Sequence, residues 1–534
     1  MCCSPPIGAF GCAGRSRDAV LTLPAIVEEI LGQASRRPQA VALEEVSGHR
    51  ISYERLARDV DAVASGLVQR GLRPGESVLF TIPPSIASIT LILALVRAGA
   101  TIVAADPRMG AAVFASRLNL VRPAWVMAES RVYTVSSHPV ARALLRSRGL
   151  ELPQLAAIPA QHVRVGPRLP GVPASVSLDE LRSTSHAGLQ PHAPATDVRI
   201  VLFTSGTTAA PKAVVHDERS IGASMEMLRD QLQLTAGDVV FSSELYLNVP
   251  ALMAGARSVM TGFARVDPRR WLRQARTSGA TVAFAVPSDM VRIVESAGRD
   301  GEKLPRGLRL LLLGSAPAHR QFLERLRAVV EPSTAVWSVY AMTEMLPVSA
   351  IAMNEKLETD ASGDLVGRPF PGVRLRVADD GELFVSGPNL FRGYMNEGDV
   401  EEHATGDLVA LDEQGRVVIL GRKKQMIIRG RDNIYPSLVE SVVDSIPGVR
   451  RSCLCGYYDE TRADERLVLV LEPAAREDSG RLIRRVRNAI VAGATRIDAN
   501  AFPDDIVVMQ LPVDARSRKT DRAAVSHRLA QMIT

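Results

Sequence analysis

The chain has 534 residues, 46% of them hydrophobic and 23% charged, with a formal net charge of +6. That length excludes a single small module, because a domain commonly takes roughly 100–200 residues, and the balanced composition excludes wholesale disorder. Basic and acidic residues are interspersed, so the modest positive charge describes a solvated surface suited to anionic small molecules, and no nucleic-acid partner is expected.

Residues 1–18 read as a flexible tail, since MCCSPPIGAFGCAGRSR lacks the charged start and apolar core of a secretory signal. Cys2, Cys3 and Cys12 fall in that tail, while Cys453 and Cys455 stand two apart in an apolar, strand-like run. An odd cysteine count without metal-ligand spacing predicts reduced thiols and a cytoplasmic location. From Ala19 to Pro107, helical blocks such as ISYERLARDVDAVASGLVQRGL alternate with short runs such as SVLFTI and GATIVAADP. This rhythm predicts an α/β fold with largely parallel sheets. Within it, the apolar run from Ile86 to Val96 stops at Arg97, short of the ~20 residues that cross a bilayer. A buried helix is expected there, and no integral membrane segment.

Between Arg164 and Ala195, proline, glycine, serine and histidine accumulate without a period, which predicts a surface connection rather than core. The segments RIVLFTSGTT, ATVAFAVP and LRLLLLGSAP then each end an apolar strand in small or polar residues. Open α/β sheets hold ligands at that carboxyl edge. After Val366, GVRLRVADDGELFVSG and DLVALDEQGRVVILG alternate around D-G and Q-G turns, as antiparallel strands do. The basic run GRKKQMIIRGRDNIYP leads into a final block of about 100 residues, itself of domain size. The expected division is therefore the tail 1–18, a large domain 19–421 of two α/β subdomains plus a small β-barrel-like unit, and a small mobile α+β domain 422–534.

The stretch FTSGTTAAPKAVVH, Phe203 to His216, carries the densest polar chemistry. The hydroxyls of Thr204, Ser205, Thr207 and Thr208, with the local backbone N–H groups, can donate to phosphate oxygens, and Lys212 supplies a mobile positive charge. Gly206 permits a tight turn. The spacing is not that of the GxxxxGK[ST] loop, and a polar turn would account for the cluster taken alone.

Five further motifs follow it in order: YAMTE at Tyr340–Glu344, GELFVSGPNLFRGY, TGD at Thr405–Asp407, GRKKQMIIRGRDNIYP and SRKTDR at Ser517–Arg522. Together, over roughly 320 residues, they resemble the superfamily of adenylate-forming enzymes, which includes acyl-CoA synthetases, adenylation domains and luciferases. The resemblance implies that Tyr340 stacks on adenine with Ser315, Ala316 and Pro317 on the other side, that Thr343 contacts the α-phosphate, and that Glu344 ligates magnesium. Asp407 would accept the ribose hydroxyls with help from Arg422. Lys519 would be the catalytic lysine bridging the substrate carboxylate and the α-phosphate, beside Arg518 where the family usually has glycine. Lys424 falls at the family's interdomain hinge, Gly430 in the region that lines a thiol tunnel, and Tyr246 where relatives carry an acyl-pocket gate. Without the motifs, Tyr340 would read as core, TGD as a turn, and Lys424 and Lys519 as parts of solvated basic runs.

The implied reaction joins a carboxylic acid, expected to be a fatty or other acyl acid, to AMP from ATP with magnesium, then passes the acyl group to a thiol. The thiol is expected to be coenzyme A, with the phosphopantetheine of an acyl carrier protein as an alternative partner. YAMTEMLPVSAI also resembles the branch that closes 3-hydroxy acids into β-lactones. Alanine at 209, 213 and 341, where the family has glycine, leaves a non-catalytic nucleotide-binding protein as the reading from another class.

Overall fold

The computed structural model describes residues 20–107, 111–147, 152–183, 199–203, 212–262, 266–429, 432–459, 464–474, 477–491, 497, 501–514 and 519–533. The expected tail, the loop residues Thr204, Ser205, Gly206, Thr207 and Thr208, and Gly430 lie outside the described residues.

Two large sheets account for most of the chain before Arg422, as an α/β fold requires. In the thirteen-stranded sheet, the strands Ala335–Met342, Leu310–Leu313, Val282–Ala285, Val239–Phe241, Arg257–Met260 and Val41–Glu45 run parallel to one another. Their sequences LLLL and VAFA are nearly continuous apolar runs because both faces are covered. By contrast, Arg374–Val377 alternates exposed arginines with half-buried aliphatics, as a sheet with one wet face does. This antiparallel block is continuous with the parallel one. Asp364–Pro369 pairs with Met345–Ala352 on one side and Val417–Arg422 on the other, so the small unit read from the D-G and Q-G turns extends the large sheet.

The eight-stranded sheet is parallel through Gln161–Val165, Trp125–Glu129, Ser77–Phe80, Thr101–Ala104 and Arg199–Phe203. It ends with Ala213–Asp217, antiparallel to Arg199–Phe203 and paired on its far side with Gly393–Tyr394. The apolar run from Ile86 becomes the buried helix Ile86–Arg97, opened by a reciprocal capping box of Ser85 and Ser88. No helix among the described residues is long and apolar enough to cross a membrane.

One expectation fails. The segment read as surface connection contains strand Val176–Ser177 and helix Leu178–Arg182, whose Leu178 and Leu181 are buried. Ser177 caps the helix by accepting from the Glu180 N–H at 3.1 Å, and Arg182 reaches Asp59 at 3.1 Å. Serine before LDELR, with acids in the first turn and a base in the last, is an ordinary helix signal. The surrounding prolines and glycines obscured it.

After Arg422 a separate three-stranded sheet forms from Val449–Asp459, Asp464–Pro473 and Asp505–Val508, with its own apolar core. Cys453 and Cys455 are buried free thiols on one face of its first strand, their sulfurs 3.7 Å apart. Arg522, at the start of helix Arg522–Ile533, donates to the Leu454 carbonyl at 3.0 Å and to Cys453 Sγ at 3.5 Å, and pairs with Glu440.

Candidate active site

The site residues gather at strand ends. Leu310–Leu313 runs into Gly314 and Ser315, and Ser315 takes φ 68°, a left-handed turn that brings Ser315, Ala316 and Pro317 to the carboxyl edge of the sheet. Gly314 is held close to the Phe284 ring, where an added Cβ would come within 3.0 Å of Cε2. The neighbouring strand Ala335–Met342 carries Tyr340, and the turn that follows presents Thr343 and Glu344. Ala341 and Ala213 both lie in extended strands, so glycine's conformational freedom is not required at either. Ala209 lies outside the described residues.

Tyr340 donates its hydroxyl to Asp407 Oδ2 at 2.6 Å. Sheet register sets Asp407 directly opposite Arg422, whose Nε meets the other carboxylate oxygen at 2.6 Å. Arg422 also donates to the Thr405 carbonyl at 3.1 Å, and the Asp407 N–H donates to Thr405 Oγ1 at 3.0 Å. Asp407 is 2% exposed. Burial raises its pKa above the ordinary carboxylate value, while Arg422, the Tyr340 hydroxyl and the Lys519 charge pull the other way. Burial and the facing Asp407 push the Tyr340 hydroxyl well above its usual value.

Lys519 comes from the far end of the chain. A bridge between Val513 and Thr520 and a 2.9 Å bond from the Asp514 N–H to the Lys519 carbonyl hold its backbone. Although the residue is solvent-accessible, desolvation lowers its amine pKa, Arg422 lowers it further, and Asp407 raises it. Tyr340, Asp407, Arg422 and Lys519 are thereby brought within electrostatic reach of one another.

A second cluster surrounds Glu344. Tyr394 donates to Glu344 Oε1 at 2.9 Å, and the Lys212 ammonium sits 4.2 Å from the centroid of the same tyrosine ring. His216 is buried, with Nε2 2.8 Å from the Thr343 carbonyl and Nδ1 3.1 Å from Ser220 Oγ. His403 packs edge-on against Phe391 and Tyr394. Burial lowers the His403 pKa, with Lys212 adding to the fall and Glu344 opposing it. Tyr394, His216 and His403 were not assigned roles from the sequence. His216 and Tyr394 do end two of the quoted motifs, and that is the one local signal they carry.

Tyr246 lies in helix Leu245–Met253, edge-on to Phe284 with centroids 5.6 Å apart. One ring thus links Tyr246 to the turn at Gly314. Beside it, Glu244 is pushed above the usual carboxylate range by burial, and its polar contact is the Ser243 hydroxyl at 3.4 Å. Lys424 is exposed in the short turn Lys423–Gln425, next to Lys423, which is bound at 2.6 Å to both Asp380 and Glu382. No group of three or more His, Cys, Asp or Glu side chains among the described residues could hold a metal by itself. A single carboxylate at Glu344 fits magnesium shared with phosphate oxygens, because that small hard ion keeps most of its shell from water and substrate.

Among proteins of known activity, the chain is 27% identical over 455 residues to a 2-succinylbenzoate–CoA ligase of Bacillus cytotoxicus, covering 81% of this chain and 85% of that one. Its fold matches ATP-bound MatB from Rhodopseudomonas palustris with a TM-score of 0.75 at 23% identity, over 96% of this chain and 100% of the other. It also matches the amide bond synthetase McbA from Marinactinospora thermotolerans with a TM-score of 0.74 at 21% identity, over 95% and 99%. The family model described as AMP-binding enzyme matches residues 31–395, well over half the chain. A match of that extent runs from the first helix past Tyr394, and by it the chain belongs to the AMP-binding enzyme family.

Proposed function

We propose that this protein activates a carboxylic acid with ATP, forming an acyl-adenylate and pyrophosphate, and then transfers the acyl group to a thiol, that of coenzyme A. The observation that carries the reading is the approach of Lys519, from one end of the chain, to the Tyr340–Asp407–Arg422 network centred on the buried Asp407 carboxylate. Relatives that join coenzyme A to 2-succinylbenzoate support it.

In this reading Tyr340 and the turn at Ser315, Ala316 and Pro317 hold adenine, and Asp407 with Arg422 holds the ribose. Lys212, Thr343 and the loop hydroxyls of Thr204, Ser205, Thr207 and Thr208 around Gly206 bind the phosphates. Lys519 places the acid's carboxylate against the α-phosphate and balances the charge that builds there. Glu344 would hold magnesium, which supplies charge neutralisation on the phosphate oxygens when bound. The acyl portion lies against Tyr246 and Phe284, an apolar wall suited to an acyl acid. Residues 19–421 and 422–534 act as two bodies turning at Lys424, with Gly430 lining the thiol's path in the second step. Coenzyme A and ATP as substrates suit a cytoplasmic enzyme.

The test is ATP–pyrophosphate exchange across a panel of carboxylic acids. Exchange should depend on one class of acid and be suppressed by Lys519→Ala, and AMP release should then depend on added coenzyme A. No exchange with any acid would overturn the reading. AMP release that needs only a carrier-protein thiol, or needs no thiol when the acid bears a 3-hydroxyl, would replace coenzyme A as the acceptor.

A further inference from the structure

Lys212 and Glu344 carry opposite charges and both must face the triphosphate, so a direct ion pair between them would consume the two groups the reaction needs. Tyr394 stands between them. Its ring face takes the Lys212 ammonium at 4.2 Å, and its hydroxyl, at the far end of the ring, donates to Glu344 Oε1 at 2.9 Å. The tyrosine is itself fixed by sheet pairing: Gly393 and Tyr394 pair with Val215 and Val214, on the strand that follows Lys212 directly. The Arg392 N–H donates to Val215 O and the Met395 N–H to Ala213 O, each at 2.8 Å.

The Glu344 backbone is tied to the segment that leads into Gly393–Tyr394. The Phe391 N–H donates to the Glu344 carbonyl at 2.8 Å. His216 closes the other side: the Thr343 carbonyl can only accept, so His216 Nε2 carries the proton it donates at 2.8 Å, leaving Nδ1 to accept from Ser220.

We infer that Tyr394 is a positioning residue that spaces Lys212 from Glu344 by the length of its ring, with His216 as the second tie holding the Thr343–Glu344 turn to the phosphate-binding strand. The inference rests on the proposed function, because it needs a nucleotide triphosphate and a divalent cation at this place. The two halves of the tyrosine do separate work. The hydroxyl orients the carboxylate, and the ring face holds the ammonium without neutralising it.

Calorimetric titration of ATP into the full chain, in magnesium and in EDTA, separates these contributions. Tyr394→Phe should weaken ATP binding in magnesium about tenfold, the usual scale for losing a hydrogen bond to a charged group, and leave binding in EDTA within about twofold. Tyr394→Leu removes the ring as well, lets Lys212 reach Glu344, and should weaken binding in both conditions. His216→Gln, which keeps a donor toward the Thr343 carbonyl, should stay closer to the parent than His216→Phe. Unfolding midpoints measured alongside should stay together for Tyr394→Phe and the parent. Magnesium-dependent binding unchanged in Tyr394→Phe would overturn the inference, as would equal losses with and without magnesium accompanied by a lowered midpoint. A parent chain that binds ATP in neither condition overturns the proposed function and the inference with it.

Discussion

The two ends of the site are built on different physics. At Asp407 each carboxylate oxygen has a donor at 2.6 Å, and the geometry is imposed by strand register. At Tyr246 the contacts are an edge-on ring and packing against apolar side chains, and nearby Glu244 has a hydroxyl partner 3.4 Å away. A fully partnered polar network admits little change of side chain, since removing one member leaves another buried and unpaired. Ring packing tolerates changes of shape where the volume is roughly kept. On the proposed function, the part of the site that meets the nucleotide is therefore the rigid part, and the part that would face the variable acid is the adaptable one.

Breaking the polar end should cost most. Lys519→Ala is expected to lower pyrophosphate exchange about 100- to 1,000-fold, the scale for losing one preorganised group at a developing charge. Its ATP affinity, by titration, should change far less. Asp407→Ala should weaken ATP binding about 10- to 100-fold, because Tyr340 and Arg422 both lose their partner and the ribose its acceptor. At the aromatic end, Tyr246→Ala should change the ratio of kcat/KM between a shorter and a longer acid by about tenfold. Its ATP affinity should match the parent's, and a loss there instead would dissolve the contrast between the two ends. The smallest effect concerns pH. In its proposed role Lys519 must be protonated, and partial desolvation and Arg422 lower its pKa from the usual 10.5. Exchange should therefore fall as pH rises through a value below 10.5, and Arg422→Gln should move that alkaline limb upward, as a pH–rate profile would record.

Much of this was legible along the chain. Parallel strands announced themselves as LLLL and VAFA, the buried helix as ILALV, and the polar end of the site as TGD and YAMTE. What stayed hidden depends on contacts between distant segments. Tyr394 meets Lys212 and Glu344 only because Gly393–Tyr394 pairs with Ala213–Asp217, and no local period signals a pairing across that separation. His216 reaches Thr343 across a gap of 127 residues. The helix Leu178–Arg182 was hidden for the opposite reason: its signal is local but short, and the prolines around it dominate the composition. On the side proposed to face the acid, Tyr246 was singled out because relatives carry a gate at that place, while Phe284 and Glu244 drew notice only once the strand ends were brought side by side.

The anchorage of Arg522 has a mechanical meaning. Its guanidinium is rooted in the small sheet through the Leu454 carbonyl and Cys453, and in the helix Pro436–Val443 through Glu440, three residues beyond Lys519. Three residues span at most about 11 Å, so Lys519 rides on a short tether fastened to that sheet. Any longer excursion away from Asp407 must carry the whole three-stranded body with it. Slackening the tether, by cutting Arg522 loose, would let the lysine drift while its carrier stayed in place.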